Sequence, residues 1–98
     1  MNSRLGGSIG LAMKAGAVVS GDFASEKTLA SGKAKLVLLD TECSDATRER
    51  YEHLCLRKGV PFLTVDSLGD RIGKPERKIA VVTDTNFQTM ILRAAGEA

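Results

Sequence analysis

Lys35-Leu36-Val37-Leu38-Leu39-Asp40 is the stretch on which the fold turns. Its apolar residues follow one another without the polar alternation of a half-exposed strand, so it reads as a strand covered on both faces of a sheet. Such a strand needs helices above and below it, and the flanking sequence supplies them. Upstream, Gly32 stops a helix expected from Phe23 to about Ser31, and a Gly21-Asp22 turn before it offers an N-cap. Earlier still, Ala17-Val18-Val19-Ser20 is short and β-prone, and Leu5, Ile9, Ala12 and Met13 recur at helical spacing in a first helix closed by Gly16. Downstream, Ser44 or Asp45 caps a third helix in which Tyr51, Leu54 and Cys55 share one face, while Arg48, Glu49, Arg50 and Glu52 lie mostly toward water. Lys58-Gly59 ends that helix, and Pro61 to Val65 is a second apolar strand. Ser67 and Asp70 fit the cap and first turn of a short helical piece ending at Gly73. The loop Lys74-Pro75-Glu76-Arg77-Lys78 then leads into the strand Ile79-Ala80-Val81-Val82-Thr83. Thr85, with Gln88 three residues on, reads as a capping box that opens the last helix.

Strands separated by helix-length segments imply crossover connections. The expected fold class is therefore α/β, a three-layer α-β-α sandwich around a largely parallel or mixed central sheet. With 98 residues, 43% of them hydrophobic, the chain can fill one core, and a single domain over residues 1–98 is expected. An apolar run of about 20 residues, as a membrane span needs, is absent. Leu5 to Val19 is broken by Gly6, Gly7, Gly10, Lys14 and Gly16 and lacks a small-residue cleavage pattern, so it reads as mature protein. The 14 Lys+Arg against 12 Asp+Glu leave a net charge of +2, too small to announce a polyanion partner from composition alone. Two cysteines, Cys43 and Cys55, lack C-x-x-C spacing and scaffold density, which makes a reducing cytoplasm the default. Nothing in the sequence sets an oligomeric state, and a monomer is the default.

Two segments have the composition of a binding site. In Ser20-Gly21-Asp22-Phe23-Ala24-Ser25-Glu26-Lys27 a glycine turn feeds directly into a helix, whose first-turn amides can hold a phosphate while Lys27 adds charge. Ordinary turn punctuation would explain the same residues. Gly73-Lys74-Pro75-Glu76-Arg77-Lys78 combines three cations with a glycine for close backbone approach and a proline that limits flexibility. It suits an RNA groove, although a solvated loop would read alike. The two segments matter together only if they are neighbours.

Catalytic readings fare poorly. His53 lies on the charged helix with no nucleophile placed against it. Asp40, Glu42 and Asp45 follow a strand end, where capping and turn formation explain them better than Mg²⁺ would. Cys43 has no evident cationic activator. Gly6-Gly7-Ser8-Ile9-Gly10 does not follow a strand, so it fails the context of a phosphate-binding fingerprint and is read as close helix packing. No enzyme activity, cofactor or metal is expected.

Across nearly its whole length the chain resembles the kink-turn RNA-binding ribosomal protein superfamily (L7Ae/L30e), and most closely its small stand-alone bacterial, YlxQ-like members. The residues that carry the resemblance are Leu11-Ala12-Met13-Lys14-Ala15-Gly16, Ser20-Gly21, Ser31-Gly32-Lys33-Ala34-Lys35-Leu36-Val37-Leu38, and Leu68-Gly69 through Ile72-Gly73-Lys74-Pro75. The resemblance implies an α-β-α sandwich in which the second helix's N-terminus and the loop before the last strand lie side by side and grip a sharply bent RNA duplex. It implies RNA-contacting roles for Ser20, Gly21, Asp22, Phe23, Lys27, Gly73, Lys74, Pro75, Arg77 and Lys78. In the superfamily's archaeal and eukaryotic members an Asn-Glu pair and a lysine on this helix read sheared G·A pairs. This sequence keeps Lys27 but has Phe23 and Ala24 in place of the pair, and those side chains cannot hydrogen-bond base edges. The expected function is non-catalytic binding of structured, kinked RNA, ribosomal or regulatory, with possible ribosome association. The alternative is a protein-interaction adaptor on the same fold, to which an exposed Phe23 would be suited.

Overall fold

The computed structural model describes residues 3–96; residues 1, 2, 97 and 98 of the expected 1–98 domain lie outside the described residues. Nine elements follow one another: α1 (Ser3–Lys14), β1 (Val18–Ser20), α2 (Asp22–Ala30), β2 (Leu36–Asp40), α3 (Asp45–Lys58), β3 (Phe62–Val65), α4 (Leu68–Ile72), β4 (Ile79–Val82) and α5 (Thr85–Gly96). All residues of β2 and β4 are buried, as the apolar runs Leu36–Leu39 and Ile79–Val82 require, and the carboxylate Asp40 at the end of β2 is buried with them. Alternate residues serve opposite faces of the sheet. Leu36, Leu38, Ala80 and Val82 pack with α1, α4 and α5 side chains such as Ile9, Leu68 and Ile91. Val37, Leu39, Ile79 and Val81 pack with Leu29 of α2 and with Tyr51 and Cys55 of α3. Each of these large side chains contributes roughly 1.5–3 kcal/mol when fully buried. The three-layer sandwich is borne out. Among the described residues no helix is long and apolar enough to cross a membrane.

The sheet is mixed, in the order β1-β4-β2-β3. β1, β2 and β3 point the same way, and β2–β3 is the one parallel pair; β4 lies antiparallel to both β1 and β2, with Ser20 opposite Ala80 and Leu39 opposite Ile79. Of the two arrangements open in sequence, largely parallel or mixed, the structure adopts the second. The last strand enters the middle of the sheet from the end at which β1 and β2 finish.

Several helix ends differ from the sequence reading. Ser44, rather than Asp45, caps α3 by accepting the Thr47 N–H at 3.1 Å. α2 starts at Asp22, so the cap position falls to Gly21, which makes no side-chain bond. The expected Thr85/Gln88 box is replaced by Asp84, whose Oδ1 accepts the Phe87 N–H at 3.0 Å. Ser67 does not cap α4 through its side chain; it is left-handed, with φ 53. That helix is served instead by Asp40, whose Oδ1 accepts the Leu68 N–H at 2.8 Å while its Oδ2 accepts the Glu42 N–H at 2.9 Å. A carboxylate one residue beyond Leu39 thus closes one turn and starts a helix 28 positions away. The N-terminal glycines divide in role: Gly6 of α1 faces the Arg71 guanidinium of α4, with no room for a larger residue unless that side chain moves, whereas Gly7 faces open space.

Asp40 is only 2% exposed. Burial pushes its pKa up, but the Glu42 and Leu68 amides and the ammonium of Lys78 outweigh that and hold the carboxyl below its ordinary value. With the folded pKa depressed, the unfolded chain binds more protons in acid, so the stability Asp40 contributes is complete at neutral pH and drains as pH falls below about 4. Asp40→Asn should lower stability at pH 7 by about 1–3 kcal/mol and lose less than the parent on going from pH 7 to pH 3. Urea midpoints at the two pH values test this; equal acid sensitivity would show that Asp40 is not the group responsible.

Candidate nucleic-acid interface

The end of β1 and the loop before β4 meet at Gly21. Because Ser20 pairs with Ala80, the Gly21 N–H can donate to the Ile79 carbonyl, at 2.9 Å. The chain then turns into α2 with φ 98 and ψ 155 at Gly21, a backbone conformation open to glycine and strained for other residues. Arg77 lies directly over this turn. Its Nη1 donates to the Ser20 carbonyl at 3.3 Å across 57 positions of sequence, and a Cβ at Gly21 would stand 2.1 Å from the same nitrogen. The two sequence segments are therefore in contact.

The loop holding Arg77 is itself built to shape. The Arg77 N–H donates to the Lys74 carbonyl at 2.9 Å, a β-turn with Pro75 at its second position, where a preset φ is favourable. Gly73 ends α4 in the left-handed region, and the Lys74 N–H donates to the Gly69 carbonyl at 2.8 Å. The loop backbone then lies on Gly69 so closely that a Cβ there would come within 2.5 Å of the Lys74 and Pro75 carbonyl oxygens. On the other side, the Lys78 carbonyl accepts the Asp40 N–H at 2.8 Å.

α2 presents three different faces. Ser25 and Leu29 are buried against the sheet, and the Ser25 hydroxyl finds no hydrogen-bond partner there. Asp22 and Glu26, one turn apart, both pair with Arg50 of α3. The Tyr51 hydroxyl also donates to the Asp22 carboxylate, at 2.7 Å, and the Arg50 guanidinium stacks 4.9 Å from the Tyr51 ring centroid. Arg50, read in sequence as mostly solvent-facing, is thus a link between helices. Its bond and that of Tyr51 hold the Asp22 carboxyl below the usual range, while burial and the neighbouring carboxylate push the Tyr51 phenol up. The third face carries Phe23 and Lys27, also one turn apart and both exposed.

These contacts sort the predicted residues. The Gly21 amide is spent on Ile79, and the first helical bond runs from the Ser25 N–H to the Gly21 carbonyl. The amides of Asp22, Phe23 and Ala24 are left as the donors of the terminus. The Asp22 carboxylate is engaged with α3. Among the described residues Lys27 and Lys74 have no carboxylate partner, while Arg77 has Glu76 at 3.5 Å. Lys78 leans the other way, with its Nζ 3.7 Å from Asp40 and 3.9 Å from Glu42. It borders a cavity of about 380 Å³ that Asp40, Glu42, Asp66 and Asp70 make acidic. That cavity lies at the ends of β2 and β3, so β4 and its loop separate it from Gly21. The cationic and acidic surfaces adjoin but do not overlap.

Groups suited to chemistry are scattered. His53 is exposed on α3. Cys43 and Cys55 are buried free thiols, and burial pushes Cys55 up to about 11, away from a reactive thiolate. Among the described residues no group of three or more His, Cys, Asp or Glu side chains could hold a metal ion.

Comparison with known proteins places the chain in a family. Residues 4–93 match the model of the Ribosomal protein L7Ae/L30e/S12e/Gadd45 family. The chain belongs to that family. It is 37% identical over 87 residues to the RNA-binding protein YlxQ of Bacillus subtilis (strain 168), covering 86% of this chain and 87% of the relative. A solved structure of a protein of unknown function from Bacillus halodurans C superposes with TM-score 0.88 at 25% identity, covering 94% of this family member and 96% of that chain. The Giardia lamblia 15.5kD RNA binding protein shares the fold, with TM-score 0.77 at 20% identity over 99% of this chain and 89% of the other.

Two separate penalties attend a side chain at position 21, a backbone one and a collision with Arg77. Gly21→Ala should cost about 1–3 kcal/mol from the backbone alone, and more in total. In an Arg77→Ala background the same substitution should cost less, because the collision is gone. A thermodynamic cycle from denaturant melts reads the difference, and a coupling of zero would mean that Arg77 does not rest on this turn.

Proposed function

We propose that this protein is a non-catalytic binder of structured RNA that grips the phosphates of a sharply bent, kink-turn-like duplex, ribosomal or regulatory. The observation that carries the reading is the Arg77 guanidinium resting on the Ser20 carbonyl over Gly21. It joins a helix N-terminus to a cationic loop in a single surface. The first-turn amides of α2 donate to a phosphate, and Lys27, Lys74 and Arg77 supply charge around it. Ser20 and Gly21 seat Arg77, while Asp22 fixes the angle of the terminus through Arg50 and Tyr51. Gly73 and Pro75 shape the loop. Lys78 contributes less to the grip because Asp40 and Glu42 share its charge. Family membership and the name of the relative YlxQ support RNA as the ligand class. The setting we propose is the cytoplasm, where buried Cys43 and Cys55 stay reduced.

A bent duplex offers phosphates of both limbs to one small surface, so shape outweighs sequence in the recognition. Binding to a kink-turn RNA should exceed binding to a straight duplex of equal length, and affinity should fall linearly with the logarithm of salt concentration. Lys27→Ala, Lys74→Ala and Arg77→Ala should each lower that slope by about one, and Lys78→Ala by less. Equal affinity for bent and straight RNA, or a slope indifferent to all four substitutions, would overturn the reading.

A further inference from the structure

The end of the sheet opposite Gly21, where β1, β2 and β3 begin and β4 finishes, carries Lys14, Lys33, Lys35, Arg57 and Lys58. Lys14 and Lys58 are the last residues of α1 and α3, and Lys33 and Lys35 lie in the connection from α2 into β2. The Thr83 N–H donates to the Ala17 carbonyl at 3.0 Å and so holds the segment after Lys14 against the end of β4. Among the described residues Asp84 is the carboxylate at this end, and its Oδ1 is taken up by the Phe87 N–H. The chain has 14 cations and 12 acids, so with these residues set aside the rest of the sequence is net acidic. Lysines at helix C-termini oppose the helix dipoles, which accounts for Lys14 and Lys58 without any ligand. It does not account for the missing counter-charge. At the other end Arg50, Arg77 and Lys78 each face a carboxylate, whereas among the described residues these far-end cations face none. A groove of about 280 Å³ opens between the ends of α2 and α3, with Lys35, Lys58 and Gln88 around a floor of Leu29, Ala34 and Val60. Lys35 is seated there by its N–H, which donates to the Val82 carbonyl at 2.8 Å.

Like charges held together without partners repel one another, and a polyanion laid across them relieves the repulsion and releases its own counterions. Once one RNA segment is bound at α2, the polyanion nearest to hand is another stretch of RNA. Resting on the RNA-binding reading above, we infer that this lysine-rich end is a second phosphate-binding surface, so that one molecule bridges two RNA segments. Ammonium groups on flexible stems act as point charges, so the second segment is held by its backbone and needs neither a bend nor a particular sequence. The two sites are electrostatically independent. The smallest Cα extent of the molecule is 23 Å, more than two Debye lengths of about 8 Å at physiological salt, so phosphates at one end barely repel those at the other. Both ends can therefore be filled at once.

The bridge is read by immobilising a kink-turn RNA, binding the protein to it and offering a labelled straight duplex in solution. The parent should capture the duplex at about 50 mM salt and release it by about 200 mM. Lys33→Ala, Lys35→Ala and Lys58→Ala combined in one chain should abolish the capture and lower the salt slope for the straight duplex by about two to three. The same variant should keep the parent's affinity for the immobilised RNA, which also shows that it is folded. Lys33→Arg, Lys35→Arg and Lys58→Arg combined should retain capture, because the charge remains. Competition of the straight duplex with the kink-turn RNA for a single site, or undiminished capture by the alanine variant, overturns the bridge and leaves a binder of bent RNA in place. Absence of salt-dependent kink-turn binding by the parent overturns the functional reading, and the bridge with it. Loss of an acidic protein partner by the alanine variant with duplex capture intact assigns this end to a protein contact and also overturns the proposal.

Discussion

The antiparallel entry of β4 between β1 and β2 is the constraint from which the rest of the molecule follows. It places the start of the last strand against the ends of two earlier ones, so Ile79 faces Leu39 in register and accepts the Gly21 N–H at its other edge. A fully parallel order would have sent the 73–78 loop to the opposite end of the sheet, away from α2. The sheet interior is apolar on both faces, and a one-residue slip would exchange the side chains of the two faces. Register therefore comes from packing, and the meeting of the two loops comes from register.

Two polar clusters turn that neighbourhood into a fixed surface. On one side of β4, Asp40 draws the start of α4, the turn after β2 and the ammonium of Lys78 to a single carboxylate. The position of α4 sets that of the loop, because Gly69 allows the loop backbone to lie directly upon the helix. On the other side, Asp22 and Glu26 tie α2 to Arg50, and Tyr51 reinforces Asp22 from within the core. These acidic side chains at this end of the sheet are largely occupied in structural contacts. Lys27 and Lys74 stand outside them, so a net charge of +2 conceals a local separation of sign.

Phe23 and Ala24 offer no hydrogen bonds to base edges, yet the backbone amides, the glycine turn and the lysine are all present. On the proposed reading, such a surface would grip the phosphate chain independently of sequence and leave discrimination to shape. The inversion within α2, with Phe23 outside and Ser25 buried without a partner, gives up folding stability on both counts.

Amino-acid sequence by itself determined the layers of this protein. The unbroken apolar runs of β2 and β4, the helical spacing around Ile9 and Tyr51, and glycines after α2, α3 and α4 each act through neighbours in the chain, which is why they are legible locally. It also marked the two loops as candidates, since a glycine turn before a helix and a proline turn with cations are local chemistry too. Tertiary structure alone decided how those parts combine. Asp40 caps a helix 28 positions away, Arg50 leaves the solvent face to join α2, Lys78 turns to the acidic side and Arg77 to Gly21. Each of these depends on which strand ends lie side by side, a long-range outcome of packing the whole sheet that no window of neighbouring residues contains.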